Sequence, residues 1–114
     1  MSALPVRPIA EGVSVAPQLA PADMAEAARA GFRSVINNRP DFEGGPTQPI
    51  SAEIEAAARA AGLDYRHLPV AGGYQSPEEA AAFAVLLHEM ERPLLLFCRS
   101  GARSTRLYEL ALTV

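Results

Sequence analysis

The stretch Leu94-Leu95-Leu96-Phe97-Cys98-Arg99-Ser100-Gly101-Ala102-Arg103-Ser104 decides how the rest of this chain is read. An apolar run ends at the only cysteine of the protein, and four residues separate that cysteine from Arg103. The pattern predicts a strand, a tight loop and a helix N-terminus, with a thiol at the head of the loop. A loop of this kind turns several backbone N–H groups toward one point, and the helix dipole adds positive potential there. A thiol held in such a place ionises more readily, and the thiolate is the reactive form. The stretch therefore predicts a cysteine nucleophile facing an oxyanion.

Working outward, four apolar residues with no polar break, Leu94 to Phe97, predict a strand central in its sheet. Val6 to Ile9 and Val13 to Ala16 predict a strand pair turning at Glu11-Gly12. Pro21 to Ala30 reads as a helix stopped by Gly31, Phe32 to Asn37 as a strand, and Asn38 to Pro49 as a long loop. Ser51 is expected to cap a helix that ends at Gly62. Tyr65 to Val70 alternates as a strand does, Ala71 to Gln75 reads as a loop, and Ser76-Pro77-Glu78-Glu79 opens a helix reaching about Glu91. A last helix runs from about Arg103 to Leu112.

Alternating strands and helices predict an α/β fold, a three-layer α/β/α sandwich around a mostly parallel sheet, forming one domain over residues 1–114. Sites in such sheets form at the carboxyl ends of the strands. The loops after Asn37, Val70 and Phe97 should therefore meet in one crevice.

Composition sets bounds. The chain has 114 residues, thirteen acidic and ten basic, for a net charge of −3. The charges are interspersed, which gives no reason to expect nucleic acid. No apolar run approaches the ~20 residues of a membrane span, and Met1-Ser2-Ala3-Leu4-Pro5 has no signal-like start, so a cytoplasmic, non-membrane protein is expected. One cysteine and two separated histidines, His67 and His88, offer no metal-ligand spacing, so neither metal nor cofactor is expected.

Roles follow from residue chemistry. Cys98 is the candidate nucleophile, the alternative being a buried inert thiol, which the flanking Gly101, Arg103 and Ser104 disfavour. Arg103 offers a planar fork to an oxyanion, and it is expected to help ionise the thiol. A cation in a helix's first turn opposes the dipole, which an anionic partner would explain. Gly101 supplies a left-handed backbone, and Ser100 and Ala102 supply mainly N–H groups. Ser104 either donates to the Cys98 sulfur or caps the helix. Arg99 either sets the substrate charge preference or is a solvated arginine. Arg39 and Asp41 lie on the long loop; Asp41 is a candidate general acid, or else a structural loop aspartate.

The motif Cys-x-x-Gly-x-Arg-Ser resembles the active-site loop of rhodanese-type sulfurtransferases. It also resembles that of cysteine-dependent protein phosphatases, which carry five residues between Cys and Arg and usually a His where this chain has Phe97. Gly31 to Asp41 resembles the Asn-x-Arg-Pro strand end of dual-specificity phosphatases, and Tyr65 to Val70 resembles the strand before their general-acid loop. Together these features resemble the phosphatase-like domain family of beta-lactamase hydrolase-like proteins, over roughly Ile9 to Leu112. Bacterial members are also called sulfur transferases. The resemblance implies a dual-specificity-phosphatase-like fold. It also implies an acid shortly after Val70, where this chain has Ala71, Gly72 and Gly73. These departures make sulfur transfer the leading expectation. Cys98 would take sulfane sulfur from thiosulfate or a persulfide and pass it to a thiol acceptor. The alternatives are a phosphatase acting on a phosphoester through a Cys98 phosphocysteine, and a non-catalytic anion-binding or redox-sensing module.

Overall fold

The structure is a computed structural model that describes residues 4–114. The expectation resting on Met1 to Ala3 lies outside them. Five strands and four helices alternate: β1 (Arg7–Ala10), β2 (Val13–Ala16), α1 (Asp23–Arg29), β3 (Ser34–Asn37), α2 (Ser51–Ala60), β4 (Asp64–His67), α3 (Pro77–Glu89), β5 (Leu94–Phe97) and α4 (Ala102–Ala111). The sheet order is β1-β2-β5-β3-β4, so β5 is central as expected. Only β1 runs antiparallel to its neighbour; β2, β5, β3 and β4 are mutually parallel.

The period of two along β5 builds both sides of the sandwich. Leu95 and Phe97 enter one core with Met24 and Ala27 of α1 and Ile54 and Ala58 of α2. Leu94 and Leu96 enter the other with Phe83 of α3 and Leu107 and Ala111 of α4. All four β5 side chains are completely buried, which explains a strand with no polar residue. The carboxyl ends of β2, β5, β3 and β4 therefore share one edge, in register at Ala16, Phe97, Asn37 and His67.

Several boundaries differ from the sequence reading, each for a local reason. Ser51 does not cap α2. Ile50 occupies the cap position without a side-chain hydrogen bond, Ser51 is the first helical residue, and its hydroxyl lies 2.7 Å from the Tyr65 hydroxyl. β4 stops at His67, two residues before Pro69, although the chain stays tied to β3's end by Leu68 N–H to Asn37 O and Val70 N–H to Asn38 O. The Ser76 expectation is met in full: its hydroxyl accepts from Glu79 N–H, and the Glu79 carboxylate accepts from Ser76 N–H. Among the described residues, no helix is long and apolar enough to cross a membrane.

Candidate active site

β5 delivers Cys98 at the sheet's carboxyl edge. The residue is fully buried, at 0% exposure. Residues 99–101 turn sharply, and Gly101 takes φ +95°, a conformation in which L side chains are strained. That turn aims Gly101 N–H at the Cys98 sulfur, 3.1 Å away, and starts α4 at Ala102. The loop is fixed on its outer side, where Arg99 O accepts from Gln18 N–H beyond β2.

Burial alone would push the thiol's pKa up. Hydrogen bonds outweigh it: Ser104 N–H, the Ser104 hydroxyl, and the N–H groups of Ser100 and Gly101 together hold Cys98 below the usual thiol value. The Ser104 hydroxyl has one proton to give. It reaches Asn38 Oδ1 at 2.8 Å, and the Cys98 sulfur is the competing acceptor for the same hydroxyl. Of the two expectations for Ser104, donation to the Cys98 sulfur is met and helix capping is not: Gly101 is the N-cap of α4, without a side-chain cap hydrogen bond, and Ser104 lies inside the first turn. Asn38 enters the site as the acceptor of its hydroxyl. Asn38 is itself held by Asn38 N–H to Phe97 O and Nδ2–H to Leu68 O.

Arg103 lies in the first turn of α4 with 8% exposure. A guanidinium has five N–H donors. Nη1 donates to Glu43 Oε2 at 3.1 Å and to Val70 O at 3.0 Å, and Nη2 donates to Glu43 Oε1 at 3.0 Å. Nε is buried without a partner. The edge carrying Nε–H and the second Nη2–H is therefore free, and that edge is a two-donor fork of the kind that grips an oxyanion. The anionic partner expected for Arg103 is in part internal, because Glu43 matches its charge. Arg103 is consequently not among the groups that lead the lowering at Cys98.

Glu43 was not singled out in the sequence. It belongs to the loop after β3 and bridges two arginines, since Arg39 Nε donates to Oε1 at 2.9 Å. The hydrogen bond from Arg103 leads the causes that hold its carboxyl below the usual range, against burial and with help from Arg39. Arg39 also donates from Nη1 to Gln18 Oε1. Arg39, Glu43, Gly44, Arg99 and Arg103 line one open cavity of about 530 Å³. Arg99 is exposed at its rim. Two glycines keep the arginines in place: a Cβ on Gly72 would lie 2.9 Å from Arg103 Nη2, and one on Gly44 would lie 2.7 Å from Arg39 Nη2.

Three loops therefore converge as the topology predicts, through Glu43, Val70 and Arg103. Asp41 is placed elsewhere. Its Oδ1 accepts from Ser51 N–H at 2.8 Å, so its carboxylate serves the N-terminus of α2. His67 Nε2 lies 2.8 Å from Arg39 O and fixes the same loop from behind. Ser100 and Ala102 are exposed; Ser100 N–H faces the sulfur, and Ala102 N–H donates to Ser100 Oγ.

The comparisons with known proteins fit this geometry. The family model described as beta-lactamase hydrolase-like protein, phosphatase-like domain, matches residues 5–114. The chain belongs to that family. A beta-lactamase hydrolase-like protein of Agrobacterium fabrum is 38% identical over 102 residues, which are 90% of this chain and 23% of that protein. The chain thus spans about a quarter of that relative's length. A crystal structure of a candidate phosphatase from Neisseria meningitidis is 32% identical, covers 95% of this chain and 74% of its own, and superposes with a TM-score of 0.82. The structure called Tk-PTP shares the fold at 19% identity, with a TM-score of 0.68 over 94% of this chain and 78% of its own. The phosphatase-like domain is accordingly one of a fold shared with protein tyrosine phosphatases.

Proposed function

We propose that this domain is a cysteine-dependent phosphatase that forms and hydrolyses a Cys98 phosphocysteine. The observation that carries this reading is the free edge of Arg103. A buried Nε–H without a partner is costly unless something binds there. A tetrahedral oxyanion held by Nε–H and Nη2–H, and by the loop N–H groups, would supply the missing partners. The thiolate would attack phosphorus, and the loop donors would stabilise the equatorial oxygens as charge spreads over them. Water would then release inorganic phosphate and regenerate the thiolate.

Sulfur transfer led the expectations from sequence. The family and the Neisseria relative favour the phosphoryl reading instead, so the order is reversed. One observation still speaks for a sulfane-sulfur acceptor: no acid stands at Ala71, Gly72 or Gly73, and at Gly72 a side chain would meet Arg103. Intact-mass analysis separates the two. Treated with an activated aryl phosphate and quenched early, the protein is expected to gain one phosphoryl group that Cys98→Ser abolishes. A gain of one sulfur atom from thiosulfate, with no phosphoryl gain, would restore the sulfurtransferase reading. Location in the cytoplasm, action as a single domain, use of Arg39, Arg99, Ser100, Gly101 and Ala102 in anion binding, and a catalytic role for Ser104 beside Cys98 belong to the same proposal.

A further inference from the structure

We infer that the site takes phosphoesters and phosphoanhydrides whose leaving group departs without a proton, because the one carboxylate lining the pocket, Glu43, is clamped between Arg103 and Arg39 as a positioning residue. The inference rests on the phosphatase reading and names its substrate class. In-line attack by the Cys98 sulfur puts the leaving oxygen on the far side of phosphorus. For a phosphoryl group held by Arg103, the open space beside that arginine is the cavity lined by Arg39, Glu43, Gly44, Arg99 and Arg103. A general acid has to reach that oxygen with a proton to give.

The groups around the pocket do not meet that requirement. Both Glu43 oxygens accept N–H donors, Oε1 from Arg103 and Arg39 and Oε2 from Arg103, so a carboxyl proton would point at a cation. The same contacts hold its pKa low. Asp41 faces Ser51 N–H, and His67 Nε2 faces Arg39 O. Tyr74 lines a different groove with Pro77 and Leu110, and His88 a third one on α3. Ala71, Gly72 and Gly73 carry no acid, and Gly72 has no room for one beside Arg103.

The steps balance without an acid. Cys98 thiolate forms the S–P bond as the O–P bond breaks, and the leaving oxygen keeps the electron pair as phenolate, carboxylate or phosphate. Water then attacks the phosphocysteine, giving the thiolate and dihydrogen phosphate. An alkoxide leaving group, as from phosphoserine, is too basic to depart this way. Glu43 contributes by holding Arg103 end-on, which leaves the Nε–H edge for the substrate.

The test is the dependence of kcat/KM on leaving-group pKa, for aryl phosphates from dinitrophenyl to phenyl, with acetyl phosphate and a phosphoserine peptide alongside. General acid catalysis contributes about 10²–10⁴-fold, and a loss of that order is expected between the most and least acidic phenols. Acetyl phosphate should be turned over and phosphoserine should not. Glu43→Gln should keep the wild-type slope, while its inhibition by inorganic phosphate changes because Arg103 is no longer held. A flat wild-type slope overturns the inference, and so does a slope that becomes steep only in Glu43→Gln, which would make Glu43 the acid. A Cys98 phosphoryl adduct accompanied by a flat slope leaves the phosphatase reading standing. No adduct from the dinitrophenyl ester overturns both.

Discussion

Cys98 and Ser104 share a proton economy that pH can probe. Hydrogen bonds from Ser104, Ser100 and Gly101 favour the thiolate against burial, so the folded-state pKa lies below the ordinary thiol value. Iodoacetamide alkylation followed against pH should reach its midpoint below that value. Ser104→Ala removes the hydroxyl, and the midpoint should move up; an unmoved midpoint would mean that the hydroxyl serves Asn38 alone. The same shift has a stability consequence with a definite sign. A group whose folded pKa is depressed adds stability that is present above the unfolded pKa and is lost as pH falls through the folded pKa. Relative to Cys98→Ser, unfolding by urea should therefore become harder as pH rises through that window. Arg103 makes a separate test. Arg103→Lys keeps the charge but not the fork, and hydrogen bonds to charged groups are worth ~1.5–3 kcal/mol. Inhibition by inorganic phosphate should weaken by about 10–100-fold.

At the scale of elements, the loop from Cys98 to α4 depends on two glycines for different reasons. Gly101 has φ +95° while a Cβ there would be 3.6 Å from its nearest neighbour, so space is ordinary and the backbone conformation is the cost. Gly101→Ala should lose ~1–2 kcal/mol of stability and disturb the N–H aimed at the sulfur, measured by chemical denaturation beside alkylation rate. Gly72 has no such strain, but a Cβ would strike Arg103. Gly72→Ala should displace the guanidinium and weaken phosphate inhibition, with a smaller change in the urea midpoint than Gly101→Ala. The elements themselves were largely legible in the sequence. The unbroken apolar run Leu94 to Phe97 reads as a central strand, and Ser76 with Pro77 and Glu79 as a helix start; both are found. Ser51 misled because its hydroxyl has a partner in Tyr65, 14 positions away, which local pattern does not reveal. Cys98, Gly101 and Arg103 were legible as a site because they fall in one contiguous stretch, which the structure folds into a single loop and helix start. Glu43 was not, because it reaches Arg103 across 60 positions. Its only local sign was the spacing of four from Arg39, which the structure turns into an ion pair. Asp41, two residues earlier, drew the attention that Glu43 merited.

For the whole molecule, the parallel order of β2, β5, β3 and β4 places the site. It brings the loops after Asn37, Val70 and Phe97 to one edge, where Arg103 donates to Glu43 of the first and to Val70 O at the start of the second. Four β5 residues anchor this edge in both cores, so core and site are linked mechanically. Phe97, adjacent to Cys98 and fully buried, should cost ~3–5 kcal/mol when changed to Ala, with a matching fall in the urea midpoint. At this edge, we propose, phosphoryl transfer runs through Cys98. Rapid quench of the wild-type protein with dinitrophenyl phosphate, followed by intact-mass and peptide analysis, tests it most directly. One phosphoryl group is expected on Cys98, formed with a burst of dinitrophenol and absent in Cys98→Ser. Steady phenol release with no adduct on Cys98, or equal release by Cys98→Ser, would contradict it.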